Sequence, residues 1–271
     1  MRKLFIPVVG SLLLAACGNI LTCPTSTTLE SLATCIRTQM PQNGSNGYVT
    51  PTSTQRADWR TVVNQMLQGT CDFAVPGSLN GIAQVRTFTD TSNGRNYCVL
   101  VEVLDRNANG FVDHGFGTFI VYNGATRQLS HQAVHPIADS TTEIQAVTVF
   151  KGTDSRSYLM AGAHRDANSA PSTCRRSHPE SDASHNSNTM VQATNEELLA
   201  YYGATPWFAI QWHGMAASTC PKTDVYPSIP WPGCHPGAHG QDRGPAPQCA
   251  GASSNLGRGL ARIGLVHSQR H

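Results

Sequence analysis

Apolar positions along the chain change their period from segment to segment. Leu29, Leu32, Ile36 and Met40 recur at helical spacing behind Thr27-x-x-Glu30, which has the form of a capping box, and predict a short helix. After a loop rich in Gly, Asn, Pro, Ser and Thr over 41–53, Trp59, Val62, Val63 and Met66 predict a second helix, stopped at Gly69. From about residue 82 the pattern is that of strands, at 82–88, 97–104, 118–122 and 129–134, divided by turns carrying Asn93-Gly94, Asn109-Gly110 and Asn123-Gly124. These four read as an antiparallel meander. Then helix and strand alternate: a helix at 142–150, a strand at 157–163, a helix at 188–202 and a strand at 207–212. That alternation predicts parallel strands joined by helical crossovers. The expected fold class is α/β, a single mixed sheet whose antiparallel meander leads into parallel strands, with the site at their carboxyl edge.

The N-terminus sets the compartment. Met1-Arg2-Lys3 is positive, and residues 4–16 form an apolar stretch of thirteen, too short to span a membrane as a helix. It ends in Leu14-Ala15-Ala16-Cys17, which resembles the lipobox of bacterial lipoprotein signals; that resemblance implies cleavage before Cys17 and lipidation of its thiol. An ordinary secretory signal is the alternative, and both export the chain. No later segment is long and apolar enough to span, so membrane attachment is expected through the lipid alone. The division that follows is a signal peptide at 1–16, a helical and loop segment at 17–80, an α/β catalytic core at 81–220 and a tail rich in Pro and Gly at 221–271. No clear period survives beyond Gly233, and the tail reads as loop.

With Cys17 removed, eight of the nine cysteines remain, and an even number in an exported chain reads as disulfides. The expected pairs join Cys23 or Cys35 to Cys71 or Cys98, and Cys174 to Cys220. No Cys-x-x-Cys occurs, which argues against thiolate zinc and thioredoxin-type chemistry. A formal net charge of +2 from 19 basic and 17 acidic residues is too small for a nucleic-acid footprint. The expected partner is a small molecule or peptide bearing a carboxylate, bound by a monomer.

Three of the eleven histidines occupy one structural place, each directly after an apolar strand: His135, His164 and His213. The carboxyl edge of a parallel sheet would bring them to one mouth. Polar company follows them, with Asp139 and Glu143 behind His135, Arg165 and Asp166 behind His164, and Asp182, His185 and Asn186 between His164 and His213. Imidazole with carboxylate suits zinc (Zn2+), and three protein ligands with one open position give a hydrolytic centre. His135, His213 and Asp139 or Glu143 are the candidate metal ligands, the remaining carboxylate the general base. Arg165 is the candidate substrate clamp, assisted by Asp182 and Asn186, and His164 or His185 the donor to an oxyanion or leaving group. The turn from Asp105 to Asp113 has oxygen side chains at alternate positions and a glycine at the sixth, like the start of a calcium (Ca2+) loop, but Phe116 stands where a bidentate Glu is needed. A plain Asn-Gly turn is expected there. His131, four residues before His135 on the same strand face, is a candidate supporting partner.

Over about 129–214 the order of these features is similar to zinc carboxypeptidase-like and amidohydrolase-like families, including aspartoacylases, N-formylglutamate amidohydrolases and poly-γ-glutamate hydrolases. The resemblance implies His135 with Asp139 or Glu143 as the first ligand pair, Arg165 as carboxylate clamp, Asp182 and Asn186 as its helpers and His213 as the last ligand. An alternative alignment starts from His164, where Ala167 stands in place of the second ligand. The family's late glutamate base has no counterpart, since Glu197 is the last glutamate and only Asp224 and Asp242 follow His213 as acids. The function expected is zinc-dependent hydrolysis of an amide, peptide or acyl-amino-acid bond near a carboxylate. A phosphoester hydrolase using Arg165, Arg156 and histidines, or a surface lipoprotein that binds a metal or small anion without turnover, are the alternatives.

Overall fold

A computed structural model describes residues 19–20, 22–215, 225–228 and 262–269. The signal segment, Cys17 and the cysteines at 220, 234 and 249 lie outside the described residues. The first element is a short strand, β1 (Asn19–Ile20), followed by helices α1 (Leu29–Thr38) and α2 (Ser53–Leu67). Both helices fall where the apolar period puts them. The cap of α1 is shifted by one residue: Thr28, not Thr27, accepts the Ser31 N–H, and the Ser31 hydroxyl accepts the Thr28 N–H. Asp90 explains the shift, because its carboxylate accepts the Leu29 N–H from across the fold and draws the first turn onto it.

The sheet follows as β2 (Ala83–Asp90), β3 (Arg95–Glu102), a short β4 (Leu104–Asp105) paired with β1, β5 (Thr118–Val121) and β6 (Arg127–Ala133). Helix α3 (Thr142–Gly152), β7 (Ser155–Met160), α4 (Met190–Tyr202) and β8 (Phe208–Met215) complete the core. Two further strands, β9 (Val225–Ser228) and β10 (Arg262–Gln269), belong to the stretch that reads as tail. The main sheet has the order β2-β3-β5-β7-β6-β8-β10-β9. It is mixed, as expected: β2, β3, β5 and β7 pair antiparallel, whereas β7, β6, β8 and β10 run parallel.

The meander differs from expectation at its fourth strand. β6 does not fold back on β5; β7 inserts between them, antiparallel to β5 and parallel to β6. Asn123-Gly124 therefore closes no hairpin, and β6 opens the parallel half instead. Both faces of the sheet are covered, which alternation along β3 makes plain: Cys98 and Leu100 join the core under α2 and α4, while Tyr97, Val99 and Val101 join the core under α1 and α3. Trp59 of α2 is fully buried and its indole N–H donates to Thr194 of α4 at 2.9 Å.

The described disulfides are local. Cys23 pairs with Cys35 and Cys71 with Cys98, so the expected link between these two pairs does not form. Each bond ties a connection to the next element: the lead-in to α1 itself, and the α2–β2 connection to β3. Cys174 is also disulfide-bonded; the expected partner, Cys220, lies outside the described residues. The Asp105 turn is built from backbone hydrogen bonds, with the buried Asp105 carboxylate accepting the N–H groups of Asn109 and Gly110 at 3.1 and 2.9 Å. Among the described residues no helix is long and apolar enough to cross a membrane.

Three glycines bring the end of β7 close to the loop that precedes β5. Gly162 lies so near that a Cβ there would stand 2.1 Å from the Gly117 nitrogen and 2.5 Å from the Gly115 carbonyl carbon. The loop is fixed by the buried Glu102 carboxylate, which accepts the N–H groups of His114 and Phe116 at 2.8 and 2.7 Å. This close approach sets where the chain goes next, at His164 and Arg165.

Candidate metal centre

The carboxyl end of β6 delivers His135, and a tight turn returns Asp139 beneath it, the Asp139 N–H donating to the His135 carbonyl at 2.8 Å. Thr142 caps the Asp139 carbonyl from its own hydroxyl at 2.7 Å, and Thr141 enters α3 with φ +67°. A positive φ at a β-branched residue is a strained conformation, here at the entry to the site. β8 lies parallel beside β6, with Trp212 opposite Ala133, so His213 arrives at the level of the residues leaving β6.

The three side chains meet. His135 Nδ1 and His213 Nδ1 lie 3.3 and 3.4 Å from the same Asp139 oxygen, Oδ2, and the two rings stand edge to face at 5.1 Å. His135 and Asp139 are buried, and the His213 side chain is 12% exposed, which leaves one open side. Ligand atoms at about 2.0–2.1 Å from a tetrahedral zinc are spaced about 3.3–3.4 Å apart, because a tetrahedron's edge is about 1.6 times its radius. These two separations match that spacing, at the long end of the range for hydrogen bonds to the carboxylate. Two imidazoles and one carboxylate are also the borderline donors zinc takes, so the residues fit a metal ion.

His135 is gripped on its far side, where Nε2 lies 2.9 Å from Asp182 Oδ1. That carboxylate fixes the ring with Nδ1 toward Asp139, the arrangement by which an outer carboxylate orients a metal-binding histidine. Burial disfavours charge on all of these groups, but mutual hydrogen bonding outweighs it for the carboxylates: Asp139 is held well below the usual range by His135 and His213, and Asp182 by His135 and His185. Burial likewise opposes a charge on His135, yet its two carboxylate partners raise its pKa. Burial lowers that of His213 against the pull of Asp139.

The other expected residues divide. Arg165 reaches the group, with its nearest carboxylates, Asp139 and Asp166, at 3.8 and 3.9 Å, both beyond hydrogen-bond length. Among the described residues no carboxylate lies within hydrogen-bond length of its N–H groups, which leaves them open to an anion. His164 Nδ1 accepts the Asp166 N–H at 3.0 Å, which in the neutral ring puts the proton on Nε2, and burial lowers its pKa against the pull of Asp166. Asp182 and His185 come together at 2.9 Å.

Glu143 does not join them. It is buried in the first turn of α3, 3.4 Å from Arg37 Nε, and burial raises its pKa. Asn186 shapes its own loop, donating to the Glu180 carbonyl and accepting the Asn188 N–H. Arg156 donates to the carbonyls of Tyr122 and Leu67 and takes no part in the centre.

His178 is the residue sequence reading missed; it stacks on His185 with ring centroids 3.7 Å apart and lies 3.4 Å from Asp182 Oδ2. The signal was present, because His178-Pro179-x-x-Asp182 repeats the pattern of His135-Pro136-x-x-Asp139.

His131, the expected supporting partner, is engaged elsewhere: its Nδ1 accepts the Trp212 indole N–H at 3.3 Å and its Nε2 lies 3.1 Å from the Ser155 hydroxyl. Burial lowers its pKa from 6.5 to about 4. A depressed histidine stabilises the fold in its neutral form, so this contribution is complete above about pH 6.5 and is lost as pH falls toward about 4, by up to about 3 kcal/mol. Urea unfolding of wild type and His131→Gln should show the wild-type advantage shrinking by that order between pH 7 and pH 4.5. A constant difference would show that His131 does not titrate in this window.

No family model, curated protein or solved structure was found to match the chain.

Proposed function

We propose that the chain is an exported, zinc-dependent hydrolase of an amide bond close to a carboxylate, anchored by a lipid on Cys17. The observation that carries the reading is the meeting of His135, Asp139 and His213 within the reach of one ion beside Arg165, at the carboxyl edge of the parallel strands. Disulfides among the described residues agree with an oxidising compartment. When bound, zinc supplies Lewis acidity and lowers the pKa of a coordinated water to about 7. The chain's own residues do the rest. Asp182 holds His135 in place, Arg165 binds a substrate carboxylate through its planar fork, and His164 donates from Nε2 to an oxyanion or leaving group.

The test is release of amino acid from acyl-amino acids and short peptides, with chelation abolishing turnover and zinc restoring it. Arg165→Ala should keep its metal and raise KM at least about tenfold, the loss expected for one charge-assisted contact. It should also stop discriminating between substrates with a free and an amidated carboxyl group. Unchanged discrimination would remove Arg165 from the site.

One observation favours a second reading, a metal-binding lipoprotein without turnover: Glu143, the expected base, is committed to Arg37. Bound zinc with no hydrolysis across the panel would support it. Phosphoesters belong in the same panel, although Arg156, the second arginine that reading needs, is spent on backbone carbonyls.

A further inference from the structure

The His-Pro-x-x-Asp pattern occurs a second time, and the approach of two imidazole Nδ1 atoms to one aspartate oxygen repeats with it, although the rings stack at 7° there and stand at 71° in the first copy. In the first copy the histidine Nδ1 and that of a third residue, His213, face Asp139 Oδ2 at 3.3 and 3.4 Å. In the second, His178 Nδ1 and His185 Nδ1 face Asp182 Oδ2 at 3.4 and 2.9 Å. The same atoms from the same residue types are thus assembled twice, all within the reach of one ion in each case.

The second set sits in a loop without helix or strand, yet the loop is tightly organised. Pro171 bridges to Pro179, the Ser172 N–H donates to the His178 carbonyl at 2.8 Å, and the Ser172 hydroxyl donates to the His185 carbonyl. The Asp182 N–H donates to Pro179 and the His185 N–H to Asp182, both at 3.0 Å. Cys174 adds a disulfide. The backbone that carries both rings is therefore held, which lowers the ordering cost of binding, and closing on one ion needs only rotation of the stacked rings about their side-chain torsions. Asp182 is buried with both oxygens turned onto imidazoles, while His178 and His185 are 36% and 29% exposed, so the cluster opens to solvent on one side.

We propose that His178, Asp182 and His185 form a second site for a divalent transition-metal ion of the zinc and cobalt class. This site shares no ligand with the first. Asp182 links them, since its other oxygen holds His135. Two imidazoles and a single carboxylate favour such ions over calcium or magnesium, which take mainly oxygen ligands.

The experiment is titration of the chelator-stripped full chain with Co2+ and Zn2+ alone, followed by calorimetry and by the visible absorption of bound cobalt. Wild type should take up two ions. The double variant His178→Gln/His185→Gln should take up one, with affinity at the lost site reduced at least about a hundredfold, and His213→Ala should also take up one, with a different cobalt spectrum. The two glutamines replace partly exposed rings and leave no core cavity, and native circular dichroism checks that each variant is folded. Uptake that is unchanged by the His178/His185 substitutions overturns the second site, and if His213→Ala then loses the bound ion the first reading stands. An ion lost with His178 and His185 but kept in His213→Ala supports the second site and defeats the first. No uptake by wild type overturns both.

Discussion

His213→Ala will remove the ion held with His135 and Asp139 and abolish zinc-dependent turnover, while leaving the fold intact. The change deletes one of three ligands and leaves the buried Asp139 still paired with His135. Affinity at that site should fall by more than about a hundredfold, the upper range for losing an outer supporting residue. His135→Ala should do the same at a greater structural cost. His135 lies between two buried carboxylates, Asp139 and Asp182, whose charges it balances. Taking away the partner of a buried charge costs about 3–5 kcal/mol, so urea unfolding should separate the two variants even though both lose metal. Retention of that zinc in both would refute the assignment.

Gly162→Ala carries the largest expected effect on stability. A methyl group at 162 would lie 2.1 Å from the Gly117 nitrogen and 2.5 Å from the Gly115 carbonyl carbon, backbone atoms that cannot rotate away. Either β7 separates from the loop before β5 or the loop shifts with its Glu102 clamp, and both routes disrupt packed core. A loss of at least about 4 kcal/mol places this among the exceptional single substitutions. Gly94→Ala is the control: Gly94 has a positive φ, +69°, which Gly162 does not, but open space around its Cβ. Strain alone should cost it about 1 kcal/mol. Equal losses for the two variants in chemical denaturation would show that close approach at Gly162 is not what matters.

The element pattern was legible because each apolar run has one dominant period. Trp59, Val62, Val63 and Met66 line one face of α2, and all are buried. The alternation along β3 feeds two cores, as a strand buried on both faces must. The pairing of β5 was not legible, since a turn with Asn-Gly specifies a change of direction and not the neighbour, and β7 supplies the partner from beyond a helix. Asp139 and Glu143 could not be told apart from spacing, being one helical turn apart; the structure separates them by ending the turn at Asp139 and burying Glu143 toward Arg37 on α1. The disulfides escaped because cysteine positions carry no geometry, and the observed pairs are the short-range ones. His178 was missed since no strand precedes it, and only comparison of the two His-Pro-x-x-Asp segments would have revealed it.

The position of β6 between β7 and β8 also dictates an order of assembly. Every strand that pairs with β6 comes later in the chain, whereas β2, β3 and β5 pair among themselves and are stapled by Cys71–Cys98. A chain emerging from its N-terminus can therefore complete the antiparallel half while β6, with His135 and Asp139 just beyond it, waits unpaired. Its parallel neighbours need loop closures over long stretches and form slowly. His213 joins His135 and Asp139 only when β8 docks, so the cluster is completed after the antiparallel half of the sheet, with β9 and β10 still to pair beyond it.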